Sequence, residues 1–142
     1  MASANFTNLA DHLARGQINF ASDSFKVMLV SSAPSAANLD AWVNRSDVTI
    51  EASGAGYTAG GVAVTCTVGA VDTTNNRVPV TFADLAPGWA TATVSAVGAI
   101  IYKNTGTAAT DKLIQFVDFG GTVSSTSGAF NIDFTTPLYI NA

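Results

Sequence analysis

Gly128-Ala129-Phe130-Asn131-Ile132-Asp133-Phe134-Thr135 sets three large apolar residues at every second position, with Asn131, Asp133 and Thr135 between them. Successive side chains of a β-strand point to opposite faces. Phe130, Ile132 and Phe134 therefore share one face, and the polar residues share the other. This is the pattern of a half-buried strand. Leu138 and Ile140 extend it past Pro137.

The same period of two recurs upstream. Phe25, Val27 and Leu29 alternate with Lys26, Met28 and Val30, so the second face of that strand is apolar too and needs at least partial cover. Tyr57 to Val71 follows, with a bend at Gly60-Gly61. Asp72-Thr73-Thr74-Asn75-Asn76 reads as a turn, because Asn tolerates left-handed φ. Val78, Val80 and Phe82 are in phase, and Pro79 among them removes a backbone donor, which predicts an edge strand or a bulge. Ala86-Pro87-Gly88-Trp89 reads as a turn. Thr91 to Tyr102 reads as the longest strand, with a central end at Ala99-Ile100-Ile101-Tyr102 that is apolar on both faces. Asn104 to Thr107 is a turn. Leu113 to Phe119 is a strand that Gly120-Gly121 is expected to end. Seven or eight short strands with turn signals between them argue an all-β, two-sheet β-sandwich.

Only one segment has helical spacing. Thr7 or Asn8 can cap it, Leu9 and Leu13 lie one turn apart, Arg15 is in its last turn and Gly16 fits the position after it. A short helix over about 7–15 results, within an N-terminal arm of residues 1–16. Residues 31–56 form the longest irregular stretch. Leu39, Trp42 and Val43 could make one helical turn there, and Ser53-Gly54-Ala55-Gly56 reads as flexible. Two readings stand: a functional loop, or a lid packed on the sandwich through Trp42.

Composition sets the limits. The chain has 142 residues, a length for one domain, spanning 1–142. Hydrophobic residues are 48%, enough for a core, whereas charged residues are only 11% against about 25% in a typical soluble domain. Ser and Thr take the surface positions that Glu and Lys would fill in a helical bundle. Six Lys and Arg against ten Asp and Glu leave no basic stripe, so no nucleic-acid partner is expected. No apolar run approaches the about 18 residues of a membrane span. The start, MASANFTNLADH, lacks the basic and apolar regions of a signal peptide.

Catalytic patterns are sparse. His12 is the one histidine, and no Gly-x-Ser-x-Gly elbow accompanies it. It is expected at a surface or interface. Cys66 lies in a Val- and Thr-rich strand with no base nearby in sequence, and reads as a buried structural cysteine. One His and one Cys cannot build the usual closed zinc site. Gly54-Ala55-Gly56 and Gly60-Gly61 match neither a P-loop nor a dinucleotide fingerprint. Asp72 with Asn75 and Asn76 lacks calcium-loop spacing. No catalytic residue, cofactor or metal is assigned. An enzyme would need a pocket joining His12 to two carboxylates. Trp42, Tyr57 and Trp89 could form a sugar platform only if they were exposed together. So low a surface charge suits a protein whose resting state is assembled.

Five runs carry a resemblance: NFTNLADHLARGQINFASDSFKVMLVSSAP (residues 5–34), GAGYTAGGVAV (54–64), DTTNNRV (72–78), GAIIYKNTGTAATDKLIQFVDFGG (98–121) and GAFNIDFTTPLYIN (128–141). In this order they resemble small virion proteins of tailed bacteriophages, nearest to capsid cement, or head decoration, proteins with a jelly-roll fold. The most specific stretches are Gly56–Val64 and Ala99–Gly121. The resemblance implies a homodimer or homotrimer, made in the host cytoplasm, on the outer surface of the icosahedral head. There it would bridge capsomers of the major capsid protein. The arm and the long loop stand outside the expected sheets, so Phe6, Leu9, Leu13, Leu39 and Trp42, with Trp89, are the expected contacts. The alternative is a tail-tip or fibre-base sandwich that binds a host glycan through exposed aromatics.

Overall fold

The computed structural model describes residues 2–142, so residue 1 of the expected arm lies outside the described residues. The strands are β1 (Ala4–Asn5), β2 (Phe25–Val30), β3 (Val62–Val64), β4 (Cys66–Val68), β5 (Arg77–Phe82), β6 (Leu85–Lys103), β7 (Lys112–Ile132) and β8 (Leu138–Asn141). They form two antiparallel sheets, ordered β1-β7-β6-β2-β3 and β4-β5-β8. Only Thr65 separates β3 from β4, and the chain changes sheets there. The two-sheet, all-β sandwich expected from the alternation is present. Three of the six pairings join consecutive strands (β2–β3, β4–β5, β6–β7), and the other three (β1–β7, β2–β6, β5–β8) are crossovers.

The β6–β7 hairpin dominates the large sheet. Gly120-Gly121 does not end the strand at Phe119, as expected, but lets it continue. Gly98 pairs with Asp118 and Ala96 with Val123, so the extra residues bulge out of β7. Gly120 takes φ of 79°, a conformation only glycine adopts without strain, and the strand kinks there and runs on. The turn expected at Ala86–Trp89 is likewise taken into β6 as an irregular stretch of pairing.

Pro79 is also a correction. It lies in β5, the middle strand of the small sheet, not at an edge. The pairing of β4 with β5 stops at Val68–Val80, and beyond it Gly69 N–H donates to the Pro79 carbonyl at 2.8 Å. The donor that proline lacks falls where the neighbouring strand has run out.

Two cores form, one on each face of the large sheet. Between the sheets lie Phe25, Val27, Leu29, Ala99, Ile101, Phe130 and Ile132, with Val80, Phe82 and Leu138 from the small sheet. On the outer face lie Phe6, Met28, Val30, Ile100, Tyr102, Leu113 and Phe116. Residues 31–56 cover this second core with Leu39, Trp42, Val48 and Ile50, so the lid reading is the one realised. The lid has its own structure. Helix α2 (Ala36–Ala41) is capped reciprocally by Ser35 and Asn38, and a 3-10 turn follows at Arg45–Asp47. The sequence predicted one helix and allowed a helical turn within 39–43; the structure has α2 there besides the N-terminal α1 (Asn8–Ala14).

Candidate interaction surface

Three of the six expected contact residues are not on the surface. Phe6 is 1% exposed, because its N–H donates to the Ile114 carbonyl at 3.1 Å and the adjoining β1 pairs with β7, drawing the ring under the lid. Leu9 is buried in the sandwich core. Trp89 is buried there too, 5.1 Å from the Tyr57 ring and 6.0 Å from the Phe130 ring. Leu39 and Trp42 are half-buried on the underside of the lid. Trp42 and Trp89 thus serve opposite faces of the large sheet, and the exposed aromatic row that glycan binding requires is not formed.

Leu13 is half-buried as well, packed against the sandwich core. It borders a groove of about 420 Å³ between the α1 end and the small sheet, together with Ile18, Phe20, Val68, Val78 and Ile140. No charged residue lines it. Val68 is 42% exposed, and Val71, just beyond β4, is 68% exposed. Sequence reasoning missed Val68 as a surface residue and Ile140 as a half-buried groove residue. Both sit in apolar strand patterns, and only the pairing shows that their strands are the two edges of the small sheet.

His12 corrects another expectation: it is 2% exposed rather than at a surface. Its Nδ1 is 3.0 Å from Gln17 Oε1, and its Nε2 has no hydrogen-bond partner. Burial lowers its pKa, nearby Lys112 acts in the same sense, and the Gln17 bond opposes. The neighbouring Asp11 faces away and pairs with Arg15 at 2.7 Å, so a histidine with two carboxylates is not assembled here.

Cys66 is half-buried, and burial pushes its thiol up to about 11, far from a reactive thiolate. Asp72 anchors its turn as expected. Its Oδ1 accepts from the Thr74 and Asn75 N–H groups at 3.1 Å each, and its Oδ2 from Asn75 Nδ2 and Arg77 Nε. Bonds from Asn75 hold its pKa below the usual carboxylate value. Among the described residues, no three of His, Cys, Asp and Glu gather as metal ligands.

The lid is fastened by a polar lock. Asp111 is fully buried and accepts from Arg45 Nε at 2.7 Å, from Thr105 N at 2.6 Å and from Thr105 Oγ1 at 2.8 Å. Burial alone would raise this carboxyl; the Thr105 and Arg45 donors outweigh it and hold the pKa below the usual value. The Arg45 guanidinium stands 5.4 Å over the Tyr102 ring, whose hydroxyl donates to the Gly60 carbonyl. Burial raises that hydroxyl's pKa to about 12. Glu51 completes the seam, accepting from Tyr57 OH at 2.8 Å and Gly60 N at 2.5 Å. Beside it opens a shallow groove of about 580 Å³ lined by hydroxyls, among them Ser31, Ser53, Thr93, Ser95, Ser124 and Thr126, with no aromatic side chain.

No helix is long and apolar enough among the described residues to cross a membrane. Compared with protein-family models, with curated proteins and with solved structures, the chain matches none.

Proposed function

We propose that this protein is a structural part of a tailed-bacteriophage virion: a cement protein on the outside of the icosahedral head, bridging neighbouring capsomers of the major capsid protein. The observation that carries the reading is the open, uncharged groove bordered by Leu13, Ile18, Phe20, Val68, Val78 and Ile140. It is apolar surface on a protein whose lid and sheets already bury two cores, and it lies beside the N-terminal arm, which with the long loop is the expected contact because both stand outside the expected sheets. An uncharged groove of this kind is where an apolar face of a partner would seat. The function is non-catalytic, and the protein works as a homo-oligomer at a symmetry axis of the head.

The test is co-sedimentation with expanded capsids, followed by cryo-electron microscopy of the decorated head. Wild-type protein is expected to bind and to stay bound in about 1 M sodium chloride, where the Debye length is only about 3 Å. Guanidinium, which solvates apolar and peptide groups, should release it. Val68→Asp, at an exposed position of the groove, should lose binding with the fold kept. Truncating residues 1–16 is not an equivalent test, because Phe6, Leu9 and His12 are core residues. Absence of density on the head, or release at moderate salt by folded protein, overturns the proposal.

A further inference from the structure

We infer that the cavity lined by Phe82, Phe119 and Phe134 receives the guanidinium group of an arginine side chain from a partner protein. The cavity measures about 270 Å³ and is more enclosed than the two grooves described above. Phe82 ends β5 of the small sheet, Val117 and Phe119 come from β7 of the large sheet, and Asp133 and Phe134 directly follow β7. The Phe82 and Phe134 rings stand 6.3 Å apart and inclined by 53°, so they form a corner and not a stack. Phe134 N–H donates to Asp84 Oδ1 at 2.8 Å, which holds the segment that carries both Phe134 and Asp133. Drug-sized ligands occupy about 300–1,000 Å³; the smaller volume here suits one side chain.

The polar groups set the charge of the occupant. Asp118 and Asp133 line the cavity, and no Lys, Arg or His among the described residues does. Asp118 is already engaged, its Oδ1 accepting from Gly120 N–H at 2.9 Å, so Asp133 is the group left for a ligand. Asp133 is exposed, and its carboxylate has no hydrogen-bond or ion-pair partner among the described residues. A carboxylate beside aromatic rings attracts a cation twice over, by its own charge and by the negative faces of the rings.

The chain's own arginines indicate which cation. They are Arg15, Arg45 and Arg77. Two of them join an aspartate to an aromatic ring. Arg77 stands 3.7 Å from the Tyr139 ring centroid with its Nε 3.2 Å from Asp72, and Arg45 stands 5.4 Å from the Tyr102 ring centroid with its Nε 2.7 Å from Asp111. The third, Arg15, pairs with Asp11. Asp133 with Phe82 and Phe134 repeats the combination of carboxylate and ring, and no arginine of this chain is left to fill it. A guanidinium suits the cavity better than an ammonium, because it is planar, weakly hydrated and stacks on rings, whereas an ammonium is a compact, strongly hydrated charge. A free amino acid suits it less well than a protein side chain, since no basic residue lines the cavity to meet its carboxylate. The net charge of −4 also draws a cationic partner.

This cavity is separate from the groove beside Leu13, so its occupancy is tested without capsids and independently of the function proposed above. The probe is N-acetyl-arginine amide, added to the folded protein and followed by NMR. The ring-proton shifts of Phe82, Phe119 and Phe134 should saturate with a Kd on the order of 1 mM. The matching citrulline amide, which keeps the shape and lacks the charge, should give no saturable shift, and the lysine amide should bind about tenfold more weakly. Asp133→Asn should weaken the arginine probe about tenfold at an unchanged melting temperature, whereas Val68→Asp, in the apolar groove, should leave it unaffected. No saturable shift with the arginine amide overturns the inference. So does an equal response to the citrulline amide, full binding by Asp133→Asn, or tighter binding of free arginine than of the blocked probe.

Discussion

Replacing Asp111 by Ala isolates the lock that fastens the lid. The carboxylate is fully buried and satisfies three donors: Arg45 Nε, Thr105 N–H and the Thr105 hydroxyl. Alanine leaves the Thr105 N–H without its acceptor and Arg45 without its counter-charge. Removing one partner of a buried pair costs about 3–5 kcal/mol. The Arg45 side chain is 25% exposed and can turn partly to water, which places the expectation near the lower end, about 3 kcal/mol. In denaturant unfolding this appears as a lower midpoint with the slope unchanged. Proteolysis should cut residues 31–56 first, because the second core relies on Leu39, Trp42, Val48 and Ile50 from that segment. The pair also gives a pH sign. A carboxyl held below its unfolded value stabilises the fold above about pH 3.9, and that stability is lost as pH falls further. A loss under about 1 kcal/mol, the size of an ordinary surface substitution or a single neutral hydrogen bond, would refute the idea that this carboxylate locks the lid.

Phe130→Ala should cost about 3–5 kcal/mol by cavity formation, since the ring is buried between Trp89 and Phe119; a chemical-denaturation series checks it. Gly54→Ala should cost about 1–3 kcal/mol through overpacking against the Thr93 carbonyl, read as a lower melting temperature and faster exchange of the Thr93 amide, which donates to the Ala55 carbonyl; an unchanged melt would mean residues 54–56 are not held there. His12 should weaken the fold as pH drops below about 6.5, because its folded pKa is lowered by burial while the unfolded chain takes up the proton freely. His12→Gln should flatten that part of the stability–pH curve, and identical slopes for both proteins would count against the assignment.

The strand phases were legible because alternation is a geometric property of the backbone: Phe25, Val27, Leu29, Phe130 and Ile132 all face the core their spacing predicted. Glycine and proline were ambiguous because each has two meanings. Gly120-Gly121 can stop a strand or bulge it, and the choice is made by β6, which stays in reach on both sides of the kink. Pro79 is tolerable in a middle strand only because β4 ends opposite it, which depends on a partner far away in sequence. His12 did carry a signal. It lies three residues after Leu9, on the same helical face, and these two are the buried residues of α1. The contact residues went astray for a related reason. Large apolar residues outside the predicted sheets were expected to be free for a partner, whereas the second apolar face of β2 had already called for them as cover.

The use of charge follows from the same economy. Four of the six basic residues are held in ion pairs: Arg15 with Asp11, Arg45 with Asp111, Arg77 with Asp72 and Lys103 with Asp23. Other carboxylates anchor the chain locally. Asp47 accepts from the Val43 and Asn44 N–H groups, Asp84 from Phe134 N–H, Glu51 from Tyr57 and Gly60, and Asp40 from the Thr7 hydroxyl. A β protein with few charges spends them at turns, where backbone donors left out of the ladders need acceptors. Little remains to build a charged docking face, and the capsid attachment proposed above rests accordingly on the uncharged groove beside Leu13.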